Sequence, residues 1–224
     1  MALGKQNDNY TQGNLLILRP ITQDVNKQAI PATFQVEKKV DGDYVVQDET
    51  VSSVTGDLFR LETYVNDWVD DKTKKKMVSK GFKVFMKDEE ANEAYIVDCR
   101  LNNLTRGLLN KLLGLDTTKN VTLSVFRGKT GFNNSSVKVG EERVSWKFDP
   151  KTELPEPILI KHPVTDEILS RDPSKLDEFL LNAANEFALS HGLVKGQKVE
   201  KMVEEVEEDG VLVSSEEDDD EPPY

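Results

Sequence analysis

The chain has 224 residues and a formal net charge of −12, which is very unevenly distributed. Twelve acidic residues stand from Glu200 onward beside the single Lys201, so this segment carries −11 and the rest of the chain only −1. The low pI of 4.8 is therefore caused by the acidic residues at one end of the chain. Since a nearly neutral body can still carry a basic groove, a polyanionic ligand is not excluded.

The number of cysteines and the lengths of the apolar runs exclude several classes of protein. Cys99 is the only cysteine, which excludes an intramolecular disulfide and a cysteine-based metal cluster. The apolar run Leu15 to Leu18 is too short for a signal peptide, and no stretch reaches membrane-spanning length. We therefore expect a cytoplasmic protein without membrane contact.

The first part of the chain divides into an arm and a pair of strands. Residues 1–28 are polar and rich in turn formers, which predicts a flexible arm. Strands are expected over 30–38 and 44–47, with a turn at Asp41-Gly42. We assign residues 29–192 to one domain and residues 193–224 to a disordered acidic tail.

The central block has an order of elements typical of an OB-fold. Asn102 or Asn103 can cap its helix, and Gly114 can end it. The expected elements are strands near 57–67, 81–87 and 93–99, a helix near 104–113, a strand near 120–127, and a pair near 135–139 and 142–148. This order predicts a mainly β protein built on a five-stranded Greek-key barrel, with the helix between strands three and four.

A linker and a second helix follow the barrel. Asp149 to Pro157 contains three prolines and is expected to be an irregular connection. Asp172 or Ser174 can cap the next helix, and Gly192 can end it. Its apolar stripe predicts packing against the barrel. A self-association surface, giving a homo-oligomer, is the alternative.

Alternation along the predicted strands separates a core face from a mixed face. The expected core residues are Phe59, Leu61, Val65, Phe82, Val84, Met86, Val121, Leu123, Val125, Val144, Trp146 and Phe148. The opposite face alternates cations with aromatic rings, most clearly in Lys83, Phe85 and Lys87, with Arg60 and Tyr64 on the first barrel strand. A solvated sheet face with chance aromatic residues is the plain alternative.

Aromatic and cationic side chains on one face are what a single strand of nucleic acid needs. Bases stack on aromatic rings without regard to sequence, and phosphates contact cations along a groove. The loops around residues 70–76 and 127–134 add further cations, in the connections that grip oligonucleotides in OB-folds. The candidate nucleic-acid-binding residues are Arg60, Tyr64, Trp68, Lys72, Lys74, Lys75, Lys76, Lys80, Lys83, Phe85, Lys87, Phe126, Arg127, Lys129, Phe132, Arg143 and Lys147.

The acidic end of the chain carries an aromatic tip. Ser214 to Tyr224 reads SSEEDDDEPPY, in which a solvated acidic run ends at an apolar residue with the terminal carboxylate. One interpretation is that this tip binds in a pocket of a partner protein. The other is that the segment only keeps the protein soluble. The candidate partner-binding residues are Asp218, Asp219, Asp220, Glu221, Pro222, Pro223 and Tyr224.

Together, the OB-like block, its basic loops and this tail resemble a phage-type single-stranded-DNA-binding protein. The resemblance covers roughly residues 57–148 by pattern and 214–224 by motif. It implies sequence-tolerant binding and protection of single-stranded DNA in replication, recombination and repair, in the host cytoplasm if a phage encodes the chain. It also implies that the tail recruits replication and recombination proteins. The ending Pro222-Pro223-Tyr224 departs from the bacterial tip, which has one proline and a phenylalanine.

The motifs of enzymes and cofactor sites are incomplete in this sequence. Gly128-Lys129-Thr130 resembles the end of a phosphate-binding loop, but position 123 is leucine instead of the required glycine. His162 and His191 lack cysteine or carboxylate partners at metal-ligand spacing. We therefore expect no enzymatic activity, no cofactor and no metal. Single-stranded RNA binding and a structural or assembly role are the alternative functions.

Overall fold

The computed structural model describes residues 14–23, 26–40, 43–71 and 73–195, which form a mainly β structure with two helices. The strands are β1 Asn14–Gln23, β2 Ala29–Val40, β3 Asp43–Val51, β4 Ser53–Val69, β5 Lys76–Asp88, β6 Glu93–Arg100, β7 Val121–Arg127, β8 Asn133–Val139, β9 Glu142–Arg143, β10 Ile158–Lys161 and β11 Ile168–Asp172. The helices are α1 Asn103–Leu112 and α2 Ser174–Ser190. The mainly β class expected from the sequence is confirmed.

Nine of the strands form one sheet, and it does not close into a barrel. Its order is β3-β2-β1-β6-β5-β4-β7-β8-β9. The five expected barrel strands stand in the order β6-β5-β4-β7-β8. In a closed barrel the first and last of them, β6 and β8, would pair with each other. Instead β1 pairs in parallel with β6 along Asn14 to Leu18, and β2 pairs with the other side of β1. The expectation of a closed barrel is therefore wrong.

Residues 14–23 form a strand inside this sheet, which corrects the expectation that residues 1–28 are a flexible arm. Leu18 on β1 and Phe34 on β2 are buried in the main core. The proline at position 20 lies beyond Leu18, where the parallel pairing with β6 ends and only β2 pairs with β1. Because proline has no backbone N–H, a strand tolerates it at a position where no hydrogen bond has to be donated to a neighbouring strand.

The helix α1 follows β6, as expected, and begins at a capping box. The Asn102 side chain accepts hydrogen bonds from the backbone N–H groups of Leu104 and Thr105, and Thr105 Oγ1 accepts one from the Asn102 N–H. Leu108, Leu109 and Leu112 are fully buried against the sheet. The predicted helix is confirmed, with its bounds within a residue of those expected.

The helix α2 packs on the same face of the sheet as α1. Arg106 of α1 forms a two-pronged ion pair with Asp177 of α2, with nitrogen–oxygen distances of 2.6 and 3.2 Å. Thr63 Oγ1 donates to Asn185 Oδ1 at 2.9 Å, and the Leu61 N–H donates to the Leu193 carbonyl. Neither helix of the described segments has the length and apolar character needed to cross a membrane.

The predicted strand over 142–148 is wrong beyond Arg143. Glu142–Arg143 pair with β8, the Val144 N–H donates one last hydrogen bond to the Val137 carbonyl of β8, and the chain then crosses α1. Asn110, a buried residue of α1, holds this crossing: its Oδ1 accepts from the Phe148 N–H at 2.9 Å, and its Nδ2 donates to the Phe148 carbonyl at 3.0 Å. Trp146 therefore lies outside the core, with 46% of its surface exposed.

A hairpin that the sequence analysis did not anticipate stands between the irregular 149–157 connection and α2. Its strands β10 and β11 pair with each other from Ile158 opposite Asp172 to Lys161 opposite Ile168, and not with the nine-stranded sheet. The apolar side chains Ile158, Ile160 and Leu169 are exposed on it. The hairpin is thus a separate appendage of the fold.

Phe34→Ala tests whether the N-terminal strands are part of the core. We expect this substitution to lower the free energy of unfolding by about 3–5 kcal/mol, because it leaves a cavity where β2 is fully buried. Tyr44→Ala, on the exposed β3, is the control and should change it by less than about 0.5 kcal/mol. Denaturant unfolding followed by circular dichroism measures both, and equal stabilities would contradict this account of the core.

Candidate functional site

The face of the sheet opposite the helices carries the candidate residues of β4 and β5. Phe82, Val84 and Met86 of β5 are buried, so Lys83, Phe85 and Lys87 point to the other side. Leu61 of β4 is buried and Thr63 donates a hydrogen bond to Asn185 of α2, so Arg60, Glu62 and Tyr64 lie on that other side. We call this surface of β4, β5, β6 and β1 the outer face.

The Tyr64 side chain of β4 extends across β5 to β6 on the outer face. A Cβ atom at Gly81 would overlap both the Tyr64 ring and the Cys99 carbonyl, so the ring rests directly on the glycine. The Tyr64 hydroxyl donates to Asp98 Oδ1 on β6 at 3.1 Å, and Lys83 Nζ is 5.8 Å from the ring centroid. The ring is held on one side by the sheet and has a cation beside it.

A second aromatic group forms around Phe85. The guanidinium carbon of Arg60 lies 4.5 Å from the Phe85 ring centroid, a cation–π arrangement. The Phe59 ring is 6.2 Å away from it, centroid to centroid. Phe59 reaches this side because the register of β4 and β5 shifts between Leu58 and Arg60, which is a β-bulge. The expectation that Phe59 belongs to the core face is therefore wrong.

These residues border a concavity of about 460 Å³ on the outer face. Phe59, Phe85 and Ile96 give it apolar walls, and Lys87 lies at its edge. Asp57 and Lys119 also line it, with Lys119 Nζ 2.6 Å from Asp57 Oδ2. The hydrogen bond from Lys119 lowers the pKa of the Asp57 carboxyl, which therefore stays ionised at neutral pH.

Carboxylates accompany most of the outer-face cations. Arg60 pairs with Glu62, Arg19 of β1 pairs with Glu37, and Arg19 Nε also lies 3.6 Å from Asp98. Lys83 makes no ion pair with any residue that the structure describes. Burial, with the nearby Asp98 charge, raises the pKa of the Tyr64 phenol, so the ring remains neutral. The face is thus mixed in charge.

The β4–β5 hairpin extends beyond the sheet and distributes its candidate residues over two faces. Trp68, opposite Met77, continues the side that carries Tyr64. Lys76, paired with Asp67 at 2.7 Å, and Lys80 lie on the reverse side, as does the exposed Val65, which was expected in the core. Lys74 and Lys75 stand at the exposed turn, and Lys72 lies outside the described residues.

The β7–β8 loop projects an aromatic residue into solvent. Phe132 is 75% exposed at the loop tip, beside the exposed Lys129. Arg127 Nε donates to the Gly131 carbonyl at 3.0 Å, which holds the loop in shape. Phe126 is partly exposed at the end of β7, on the side opposite the core residue Val125. Asn133 Oδ1 accepts from the Ala32 N–H at 3.1 Å, so the loop is anchored to β2.

The structure separates Arg143 and Lys147 from the outer face. Arg143 lies opposite Lys138 on the edge strand β9, on the side of β8 away from the buried Ser135 and Val137, and Lys147 borders a second concavity with His191 beyond the α2 end. The candidate tail residues from Asp218 to Tyr224 lie outside the described residues.

Several residues of the outer face were missed by sequence reasoning. Asp98 and Ile96 of β6 could have been found by alternation, since Val97 and Cys99 between and beside them are buried. Ile17 and Arg19 could not, because β1 was not recognised as a strand. Lys119 follows α1 in an irregular segment, and no local pattern indicates that it reaches Asp57.

The described segments contain no group of three or more histidine, cysteine, aspartate or glutamate side chains arranged to hold a metal ion. Comparison with protein families, curated proteins and solved structures gives no significant match.

Gly81→Ala tests the seat of Tyr64. We expect it to destabilise the fold by about 1–3 kcal/mol, because the added methyl group overlaps the Tyr64 ring and the Cys99 carbonyl. The matched control is Ser79→Ala, two residues away on the same side of β5, with an effect below about 0.5 kcal/mol. Chemical denaturation measures both. If Gly81→Ala is as stable as the parent protein, the ring does not lie against this glycine.

Proposed function

We propose that the outer face binds single-stranded DNA without sequence preference, in a binding role rather than a catalytic one. The observation that carries this proposal is the Tyr64 ring resting on Gly81 of β5 with the Lys83 ammonium over it, followed along β5 by the Phe85 ring with the Arg60 guanidinium over it. A base stacks on an aromatic or guanidinium plane, and a nearby cation takes a phosphate.

The two flat groups serve different nucleotides. Gly81, which carries the Tyr64 ring, and Phe85 are four residues apart on β5, which corresponds to about 13 Å at the rise of a strand. That distance is too long for one base to touch both groups. Lys83 stands between them on the same side, where the phosphates linking the two nucleotides pass. A strand following β5 thus meets ring, cation and ring in turn.

The order of the five central strands supports an OB-like layout for this site. Counted from β4, the strands β6-β5-β4-β7-β8 stand in the order three, two, one, four, five, with α1 between the third and the fourth. We propose that this is an opened OB-like arrangement, in which the β1–β2 pair is inserted beside the third strand. The outer face of the second and third strands is where OB-folds bind oligonucleotides.

The carboxylates on the outer face set the strength of phosphate contacts. A phosphate that reaches Arg60 competes with Glu62, whereas Lys83 has no such competitor among the described residues. Affinity then depends more on stacking than on counterion release. Each phosphate contact contributes about −0.7 to the slope of log K against log salt concentration. We expect a slope reflecting few contacts, and tight binding only where several bases stack.

The position of α2 bears on the structural or assembly alternative. That role would be favoured if the C-terminal helix covered the Lys83 and Phe85 side. Since α2 contacts Thr63 on the reverse side, the outer face has no helix over it in the described part of the chain. This favours a ligand-binding role. Single-stranded RNA binding differs only in contacts to the ribose hydroxyl, so it is an outcome of the binding test.

Tyr64→Ala and Phe85→Ala should each weaken binding of a single-stranded oligonucleotide by about 1–3 kcal/mol, because each removes one stacking surface. The control Leu169→Ala removes an exposed apolar side chain from the β10–β11 hairpin, which does not pair with the nine-stranded sheet, and should bind as the parent protein does. Fluorescence anisotropy at several salt concentrations measures these affinities. Full affinity in both site variants would exclude the outer face.

The same titration separates the classes of nucleic acid. We expect single-stranded DNA to bind more tightly than duplex DNA, whose bases are not available for stacking. Preference for duplex, or an affinity that does not respond to salt, would contradict the proposal. Tighter binding of single-stranded RNA than of DNA of the same sequence would support the RNA alternative.

We further propose that the acidic segment 214–224 recruits partner proteins and competes weakly with DNA. Deleting it should raise affinity for single-stranded DNA at low salt, with the difference fading as salt screens the charges. Tyr224→Ala, which keeps the acidic residues, should leave DNA affinity unchanged and abolish partner recruitment. Equal affinities of the full and shortened chains at low salt would rule out the competition, and recruitment by the Tyr224→Ala protein would rule out the docking role.

A further inference from the structure

A second flat aromatic surface lies on the α1 side of the molecule, away from the outer face. The Trp146 ring is seated on α1, where a Cβ at Gly107 would be 3.4 Å from its Cη2 atom. The chain beyond it is fixed by two hydrogen bonds between Asn110 and the Phe148 backbone. With 46% of the residue exposed, part of this indole is accessible to solvent, and we call it the indole platform.

One cation lies over this indole, two more stand on the neighbouring β8–β9 pair, and none of the three is neutralised by a described carboxylate. Lys111 Nζ is 4.7 Å from the ring centroid and donates to the Ser135 carbonyl. Arg143 lies directly opposite Lys138 across β8 and β9, although like charges in such a pair destabilise a sheet. None of the three forms an ion pair with a described residue, in contrast to the paired arginines of the outer face. An anion placed here would relieve their repulsion.

The burial of Lys111 and the charge near it also favour an anion at this position. Burial, together with the neighbouring Arg143 charge, lowers the pKa of the Lys111 ammonium. The group therefore has less favourable surroundings than a lysine in water, and a phosphate oxygen would improve them. An acidic peptide would also do so, but it would leave the exposed face of the indole unused. A nucleotide would contact both groups, because its base can stack on the indole and its phosphate can pair with the Lys111 ammonium.

The platform also lies next to the β7–β8 loop. Lys111 binds the carbonyl of Ser135, which is only three residues beyond the exposed Phe132 of that loop. The Phe132 ring is therefore the next exposed aromatic group for a strand that leaves the indole toward this loop.

We propose that Trp146, Lys111 and Arg143 form a second subsite for single-stranded nucleic acid, in which a base stacks on the indole and its phosphates contact the two cations. The inference rests on the proposed function of the outer face and extends it. The protein then engages a longer strand than the outer face alone could hold, and the gain from Trp146 appears only when the strand is long enough to pass the β7–β8 loop.

The test compares short and long oligothymidylates. OB-fold site sizes run from about 4 to about 16 nucleotides, so strands of these two lengths separate partial from full occupancy. Trp146→Ala should weaken binding of the longer strand about 5- to 150-fold and leave the shorter strand unaffected. Trp146→Phe, which keeps a flat ring, should restore much of the affinity, and thermal unfolding of both variants checks the fold. Equal losses for both lengths, or no loss for either, would overturn the proposal.

Fluorescence provides an independent readout, because Trp68 and Trp146 are the only tryptophans. In the Trp68→Phe protein, the longer strand should quench the emission of Trp146 and the shorter one should not. If quenching instead disappears on deleting residues 196–224, with no response to oligonucleotide, the platform binds the acidic end of this chain and the proposal is wrong. Absence of any single-stranded DNA binding by the parent protein would instead refute the proposed function itself.

Discussion

The packing of both helices against one face of the sheet determines what the other face can do. Each helix has one apolar side to bury; α1 buries its side mainly against β8 and α2 mainly against β4, in the same core cluster as Phe82, Val84 and Met86 of β5. The Arg106–Asp177 ion pair joins the two helices to each other on that side. The outer face consequently has no apolar partner within the described residues, and its aromatic rings stay available to a ligand.

Local patterns were sufficient for some of this architecture and insufficient for the rest. The alternation of β5 identified its buried and outward residues, and the Asn102 cap identified the start of α1. The β-bulge at Phe59 has no local signature, and it changes the side on which one aromatic ring lies. The crossing after Arg143 depends on Asn110, a residue more than thirty positions earlier, so alternation alone predicted a strand there.

The position of β1 and β2 beside β6 changes the outer face as well as the sheet. It places Ile17 and Arg19 next to the outward residues of β6, which widens the outer face beyond the strands of a simple barrel. It also brings Glu37, a buried carboxylate, into contact with Arg19. The added strands therefore supply both area and counter-charge, and the site is wider and closer to neutral than its basic loops suggest.

The hairpin β10–β11 has a consequence for how this chain can vary. Its two ends, Ile158 and Asp172, are cross-strand neighbours, so their Cα atoms lie about 5 Å apart. Everything between them can be shortened, lengthened or replaced by a turn while the spacing between the 149–157 connection and α2 stays the same. The hairpin is thus a position at which a recognition element could be inserted or removed without changing the core.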